Sequence, residues 1–208
     1  MLSMKPARSQ GHFDRWAPRY DRSIHQKLMF GPIHELVLRA YSDFHVTPHD
    51  VVDVGCGTGR LLESAGRLWS EARLAGFDAS HKMVAEARHK HEGDDRYRFH
   101  QADASQLPRP DTSSDVVFST MSFHHWKNQA AGLREVARIL RPGGYFVFAD
   151  VTLPLLFLLR PLVNWDNRAN FQKPQTIRRY IEQASLSLLT ERRAWRLSRV
   201  QLLVARKS

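Results

Sequence analysis

The residues best placed to do chemistry stand together between positions 51 and 59. A short apolar run contains Asp53 and continues into a loop with glycine at positions 55, 57 and 59. Glycine tolerates positive φ and leaves no side chain in the way of a ligand, so this pattern fits a sharp turn beneath a bound molecule. The amphipathic segment that begins at Arg60 would present its unpaired backbone N–H groups to that molecule. Strand, glycine turn and helix together predict a nucleotide-binding element.

The spacing of the glycines separates two classes of nucleotide. Folds that hold a pyrophosphate use G-x-G-x-x-G, whereas here Arg60 stands at the third glycine position and Gly59 comes one residue early. The carboxylate of Asp53 would repel a pyrophosphate and attract an ammonium group. The methionine part of S-adenosylmethionine (SAM) carries an ammonium, a carboxylate and a sulfonium, so the loop indicates SAM rather than NAD.

A second acid follows the next predicted strand. Asp78 stands roughly 20 residues beyond the glycine loop, where nucleotide-binding folds place a carboxylate on the ribose hydroxyls. Ser80 is predicted to cap the following helix, which would extend to about residue 89. Met83, one turn into that helix, fits either the adenine or the helix core.

With these motifs in order, the chain resembles the class I SAM-dependent methyltransferases, and among them the small-molecule group similar to enzymes of ubiquinone and menaquinone biosynthesis. The resemblance covers residues 51–150 closely. It implies that Asp103, after strand three, binds the adenine amino group with the backbone of Ala104 nearby. It also implies that the backbone from Ser119 flanks the methionine part of SAM. The implied cofactor residues are Tyr20, Asp53, Gly55, Cys56, Gly57, Asp78, Ala79, Met83, Asp103, Ala104 and Ser119.

Methyl transfer from SAM needs a nucleophile held in line with the methyl group, and such orientation can account for roughly 7–11 kcal/mol of barrier. A phenol, enol or ammonium nucleophile must also lose a proton, which histidine suits. His124 and His125 are therefore candidate bases, with a structural role as the alternative. Tyr20 is a third candidate, either as part of a lid over SAM or as a helix anchor. We expect no metal site, because adjacent histidines point apart and no third ligand stands at suitable spacing.

The elements that position these residues alternate between strand and helix. Predicted strands cover residues 51–54, 72–77, 96–101, 115–119 and 145–149, with a turn at 141–144. This alternation predicts an α/β fold, a doubly wound, Rossmann-like and mostly parallel sheet. A helix at 176–184 and strands at 186–195 and 199–206 would complete seven strands, and the resemblance implies that the last two are antiparallel.

The domain prediction has two parts. Residues 1–45 form an N-terminal helical lid that includes a helix from Pro32 to Phe44, and residues 46–208 form the SAM-binding domain. A substrate-cap insertion is expected at about 152–173. Its apolar stretch, 153–163, is too short and too rich in proline to span a bilayer. A lid, a pocket wall, a membrane-touching loop and ordinary core packing remain alternatives for it.

Composition limits the compartment and the partners. The chain has 208 residues and is 42% hydrophobic, which fits one domain. Its beginning lacks the apolar core of a signal peptide, and the lone Cys56 excludes an internal disulfide, so we expect a cytoplasmic protein. The formal charge is +10, and residues 151–208 carry 11 basic and 3 acidic side chains. These fit an anionic substrate, a nucleic acid, a membrane surface or a solvated basic face.

Two absences argue against nucleic-acid bases as substrates. Strand four is followed by Ser-Thr-Met-Ser instead of an Asn/Asp-Pro-Pro-aromatic sequence, and no cysteine stands there to attack cytosine. We therefore expect methyl transfer to a small-molecule acceptor at O, N or activated C, such as a quinone, a phenol or a natural product. The alternatives are a methyltransferase acting on RNA or on a lipid at a membrane surface, and a SAM-binding module without catalysis.

Overall fold

The computed structural model describes residues 30–151, 170–194 and 200–208. Within them the helices are α1 (Gly31–Ser42), α2 (Arg60–Leu68), α3 (His81–Lys90), α4 (Gln129–Ile139) and α5 (Pro174–Gln183), with a short 3-10 helix at Phe123–His125. The strands are β1 (Asp50–Val54), β2 (Arg73–Asp78), β3 (Tyr97–Gln101), β4 (Ser114–Thr120), β5 (Leu140–Val151), β6 (Leu186–Arg193) and β7 (Val200–Lys207).

The strands form one sheet in the order β3-β2-β1-β4-β5-β7-β6. Neighbouring strands are parallel, except that β7 is antiparallel to both β5 and β6. The predicted seven-stranded, mostly parallel, doubly wound sheet is therefore confirmed. The chain order reverses between β1 and β4, and in such sheets a ligand crevice opens there, beyond the carboxyl ends of the strands.

Successive residues of β1 explain why this strand is apolar throughout. Val51 belongs to the core beneath α1, α2 and α3, whereas Val52 belongs to the core beneath α4 and α5. All five residues of the strand are buried. A strand covered on both faces reads as a continuous apolar run, and this is why its position was predictable.

The start of β5 differs from the prediction. Residues 141–144 were expected to be a turn before a strand at 145, but β5 already begins at Leu140. Leu140 pairs with Ser114, and Tyr145 pairs with Val116, so the residues between them bulge out of register. Gly143 has a φ of +79° there. The turn residues are thus accommodated as an irregularity inside the strand, because both flanks pair with β4.

Much of the predicted lid and cap lies outside the described residues. Helix α1 agrees with the helix predicted in residues 32–44, but Tyr20 and residues 152–169 are among those for which no structure is described. The domain boundaries at 45 and 152–173 stay predictions. Among the described residues, no helix has the length and apolarity needed to cross a membrane.

Candidate active site

A pocket opens beyond the carboxyl ends of β1, β2 and β4. Its empty volume is about 1090 Å³, counted with the solvent at its mouth. The structure brings ten of the predicted site residues to its wall: Asp53, Gly55, Cys56, Gly57, Asp78, Ala79, Met83, Asp103, Ala104 and His125. In the described part of the chain, His124 and Ser119 lie behind the wall.

The glycine loop needs glycine for conformation and for space. Gly55 and Gly59 both have a φ of +83°. A Cβ on Gly55 would lie 2.1 Å from Ser122 Oγ, and one on Gly59 would lie 2.8 Å from the Phe99 ring. The loop is held at its start because the Gly55 N–H donates to the carbonyl oxygen of Phe77 at 2.7 Å. Any side chain at these positions would displace the loop from the pocket wall.

Asp78 joins the glycine loop to the end of β2. Its Oδ2 accepts from the Gly57 N–H at 2.9 Å, and its Oδ1 accepts from the Ser80 N–H at 2.8 Å. A carboxylate offers about four acceptor positions, so these two bonds are compatible with accepting from ribose hydroxyls as well. The Ser80 hydroxyl accepts from the Met83 N–H at 3.2 Å, which confirms the predicted helix cap and places Met83 in the pocket.

Asp53 lies deep in the same wall. It is 1% exposed, and its Oδ1 has no hydrogen-bond partner among the described residues. Burial, and then the charge of Asp78, raise the pKa of Asp53 well above its ordinary value. An ammonium group would supply both the missing donors and a compensating charge. The pocket therefore offers a buried hydrogen-bond acceptor that lacks a donor within the described residues, and this fits the ammonium group of SAM.

The neighbouring Cys56 is a poor nucleophile. Burial first, then the charges of Asp78 and Asp53, raise the pKa of its thiol well above the ordinary value. The reactive form of cysteine is the thiolate, so this environment keeps the side chain inert. Cys56 contributes to the pocket as part of the loop.

Asp103 lies at the other end of the pocket. Its Oδ1 accepts from the Ser105 N–H at 3.0 Å and from the Ser105 hydroxyl at 2.7 Å. Its Oδ2 lies 3.2 Å from the Lys127 ammonium. Burial alone would raise the pKa of Asp103, but these hydrogen bonds and the Lys127 charge lower it. The lowered pKa keeps Asp103 ionised near neutral pH, so its carboxylate oxygens can accept further hydrogen bonds.

The two adjacent histidines have different surroundings. His124 is buried, with its ring Nδ1 2.6 Å from Asp150 Oδ1 and its backbone N–H donating to Asp150 Oδ2 at 3.0 Å. Its ring stacks on Phe171, with centroids 4.8 Å apart. The His125 ring lies 4.0 Å from the His124 ring, between centroids, and lines the pocket. His125 therefore lines the pocket, and its ring packs against His124, which is buried and paired with Asp150.

Ser119 does not line the pocket but contacts Ser122, which does. Its buried hydroxyl oxygen lies 3.0 Å from Ser122 Oγ, and the Ser122 hydroxyl donates to the carbonyl oxygen of Val54 at 2.9 Å. Ser122, which the sequence did not single out, lines the pocket. The predicted contact of Ser119 with the cofactor remains a prediction.

Several wall residues had no interpretation from sequence. They include Phe30, His34, Arg60, Ser122, Trp126 and Lys127. Although part of His34 is exposed, the surrounding protein desolvates its ring, and this burial together with the charge of Arg60 lowers the pKa of His34 to about 4. The sequence could have indicated this position, because His34 directly follows Ile33, a member of the apolar row of α1 that faces the core.

The comparisons with known proteins begin with the central part of the chain. Residues 52–148 match a family model described as a methyltransferase domain. Over 108 residues the chain is 39% identical to the 27-O-demethylrifamycin SV methyltransferase of Amycolatopsis mediterranei, an alignment that covers 50% of this chain and 39% of that protein. Over 162 residues it is 32% identical to the demethylmenaquinone methyltransferase of Clavibacter sepedonicus, covering 76% of this chain and 64% of that protein.

The chain thus spans only part of the length of these curated relatives. Among solved structures, a SAM-dependent methyltransferase from Aquifex aeolicus superposes with a TM-score of 0.73 at 16% identity, covering 96% of this chain and 98% of that one. At that identity the likeness shows the fold alone. The matched domain, the strand order and the pocket agree with one another, and SAM is the cofactor they indicate. Residues 52–148 therefore form a methyltransferase domain, and the chain is similar to SAM-dependent methyltransferases of the group that includes the ubiquinone and menaquinone biosynthesis enzymes.

Proposed function

We propose that this protein transfers the methyl group of SAM to a small-molecule acceptor at O, N or an activated carbon. One observation carries the proposal: a single pocket joins the glycine loop and the three acids to His125. The relatives' names, which specify a demethylated rifamycin and a demethylmenaquinone as substrates, support a quinone-like, phenol-like or natural-product acceptor.

The cofactor half of the pocket would be divided among the three acids. Asp53 would take the ammonium group of the methionine part, Asp78 the ribose hydroxyls and Asp103 the adenine amino group. Bound SAM supplies an electrophilic methyl group, so the protein's main task is to orient the acceptor toward it. The glycine loop makes this approach close, because no side chain rises from Gly55 or Gly57.

His125 is the histidine that we assign as the proton acceptor. Its position on the pocket wall supports this assignment, and the burial of His124 against Asp150 supports a positioning role for His124. A histidine whose Nδ1 donates to a carboxylate has a fixed ring orientation. The ring of His125 would rest on that fixed surface while it takes a proton from the acceptor.

Recognition of the acceptor is assigned to the segments that flank the core. We place it in residues 12–31, including Tyr20 as a lid residue, and in the cap at 152–173. Phe30, which belongs to the first segment, and His34, which follows it in α1, line the described part of the pocket and support this placement.

The cofactor assignment is tested by calorimetry with SAM and with S-adenosylhomocysteine. Asp78→Ala removes the acceptor for the Gly57 N–H and for the ribose, so SAM should bind about 10- to 100-fold more weakly. Asp95→Ala is the matched control, because the Asp95 side chain is fully exposed. A folded wild-type protein that bound neither compound would overturn the assignment.

The catalytic assignment needs turnover on a panel of phenols, quinones and amines. We expect His125→Gln to lower kcat by about 10²- to 10⁴-fold while SAM affinity is kept, as for the loss of a general base. His124→Gln should reduce kcat less. A wild type that bound SAM but methylated nothing across the panel would favour the alternative of a non-catalytic SAM-binding module.

A further inference from the structure

Asp53 is a buried carboxyl group that the protein does not supply with donors. Its strand partners are Gly76 in β2 and Phe118 in β4, neither of which has a side-chain donor. Its Oδ1 has no hydrogen-bond partner in the part of the chain that the structure describes, although the residue is 1% exposed. A carboxylate left in such a place would lose its hydration without compensation.

The groups around Asp53 add to this cost. Asp78 accepts a backbone N–H at each of its oxygens, an arrangement that suits the carboxylate and places a like charge nearby. Cys56, in the loop between them, stays a neutral thiol. His34 of α1 is uncharged near neutral pH because its pKa is lowered to about 4. These groups bring no positive charge to Asp53.

In the part of the chain that the structure describes, two side chains bring positive charge to the pocket wall, Lys127 and Arg60. Lys127 is paired with Asp103 at the adenine end. Arg60 at the start of α2 acts on His34, and Asp78 is the charged group that acts on Asp53. Among the described residues that line the pocket, the remaining titratable group is His125, beyond β4. The surroundings of Asp53 therefore favour its neutral form while the pocket holds no cation.

We propose that Asp53 carries a proton in the free protein and releases it when SAM binds, so that the ammonium group of the cofactor takes the proton's place. The inference rests on the assignment of SAM to this pocket. The O–H bond of Asp53 breaks, the proton passes to solvent through the open mouth of the pocket, and the ammonium keeps its three protons and donates to the new carboxylate.

The proposal makes SAM affinity depend on pH in a definite direction. A proton released on binding means that a lower proton concentration favours the complex. Affinity should rise by about tenfold per pH unit while Asp53 is protonated in the free protein and ionised in the complex. Compounds that keep the adenosine part but lack the ammonium group should not show this dependence.

The experiment is calorimetric titration of the wild type near neutral pH, in buffers with different enthalpies of ionisation. We expect about one proton to be released per SAM or S-adenosylhomocysteine bound, and none per 5′-methylthioadenosine, which lacks the amino-acid part. Release of equal numbers of protons with all three compounds would overturn the inference. Binding of SAM without proton release would also overturn it while leaving the cofactor assignment intact.

Two variants test whether Asp53 is the group that releases the proton when SAM binds. Asp53→Asn cannot ionise, so SAM should bind more weakly, without proton release and with a flat pH profile between about pH 6 and about pH 8. Asp95→Asn, which changes a fully exposed carboxyl group, should release the proton as the wild type does. Persistent release from Asp53→Asn would assign the proton to another group. If Asp53→Asn does not fold, the comparison of SAM with 5′-methylthioadenosine on the wild type still decides. A wild type that binds none of the compounds would reject the cofactor assignment itself.

Discussion

The conformation of the glycine loop depends on the contacts of a single residue, Ser122. Its hydroxyl donates to the carbonyl oxygen of Val54 at 2.9 Å and accepts from the indole N–H of Trp126 at 3.3 Å. It also fills the space that a Cβ on Gly55 would need. The loop leaves room for a ligand because Gly55 has no side chain and Ser122, which lies against it, is held by hydrogen bonds.

Gly55→Ala should therefore abolish SAM binding and lower the thermal midpoint. A left-handed backbone costs a residue with a Cβ about 1–2 kcal/mol, and the 2.1 Å approach to Ser122 Oγ adds a steric term. Gly93→Ala is the control, because Gly93 has a φ of +89° and nothing within 4 Å of the added Cβ. Equal losses in the two variants would contradict the steric argument, whereas partial rescue of Gly55→Ala by Ser122→Gly would support it.

Asp53 should also give stability an unusual dependence on pH. The pKa of Asp53 is raised in the folded state. Its contribution to the free energy of unfolding is therefore fully present at low pH and is lost as the pH rises through the folded-state pKa. In Asp53→Asn that loss should be absent, so the variant should gain stability relative to the wild type between about pH 5 and about pH 8. Urea unfolding at both pH values measures the difference, with Asp95→Asn as control. A constant difference across pH would argue against a protonated Asp53.

At the scale of elements, the end of the sheet opposite the pocket is held by a cluster around Asp50. This buried carboxylate accepts from Arg73 of β2 at 2.7 Å, from Arg141 of β5 at 2.9 Å and from Arg109, which precedes β4, at 3.2 Å. Burial alone would raise the pKa of Asp50, but the hydrogen bonds from Arg73 and Arg141 outweigh it and lower the pKa. One residue thus ties four neighbouring segments together.

Asp50→Asn should destabilise the fold by about 1.5–3 kcal/mol, the usual contribution of hydrogen bonds to a charged group, because Arg73 and Arg141 remain partly solvated. The sign of its pH effect is opposite to that of Asp53. Because the folded pKa is lowered, the contribution is present above the unfolded pKa and is lost as the pH falls through the folded one. The wild type should therefore lose its advantage over Asp50→Asn in acid.

Glu63→Gln is the matched control for this cluster. Glu63 pairs with Arg67 one helical turn away on the solvent-facing side of α2, and such pairs contribute about 0.3–0.5 kcal/mol. Chemical denaturation of both variants at several pH values compares them. A loss for Asp50→Asn no larger than that for Glu63→Gln would show that the cluster contributes little.

The elements themselves were largely predictable. Strands such as β1 are buried on both faces, and helices such as α3 begin at a capping serine, so their signals are local. The start of β5 was not predictable, because Pro142 and the glycines after it have turn propensities, and only pairing with β4 draws them into the strand.

At the scale of the whole molecule, the surplus of positive charge is only partly available to partners. In the basic C-terminal stretch, Arg178 pairs with Glu191, Lys207 donates to the carbonyl oxygen of Leu140, and Arg206 lies over the Tyr145 ring. These cations also serve internal contacts. The exposed Arg192 and Arg193 near the end of β6 add to the surface charge.

We therefore expect retention on RNA or on anionic vesicles at low salt only, with loss at about 0.15 M ionic strength. The measurement is a salt titration of binding to each surface, with neutral vesicles as control. Arg192→Gln with Arg193→Gln should shift the low-salt curve modestly. Retention at about 0.15 M would favour the alternative of an RNA or lipid acceptor.

The amino-acid sequence by itself determined the cofactor half of this protein. Asp53, the glycines, Asp78 and Asp103 lie at or just beyond the carboxyl ends of strands that must meet at one edge of a parallel sheet, so local order along the chain was enough to bring them together. Tertiary structure alone decided which histidine lines the pocket and which buried carboxyl lacks hydrogen-bond donors among the described residues. His124 is turned inward by Asp150 and Phe171, which come 26 and 47 residues later in the chain. Such contacts depend on how distant elements pack, and no local pattern encodes them.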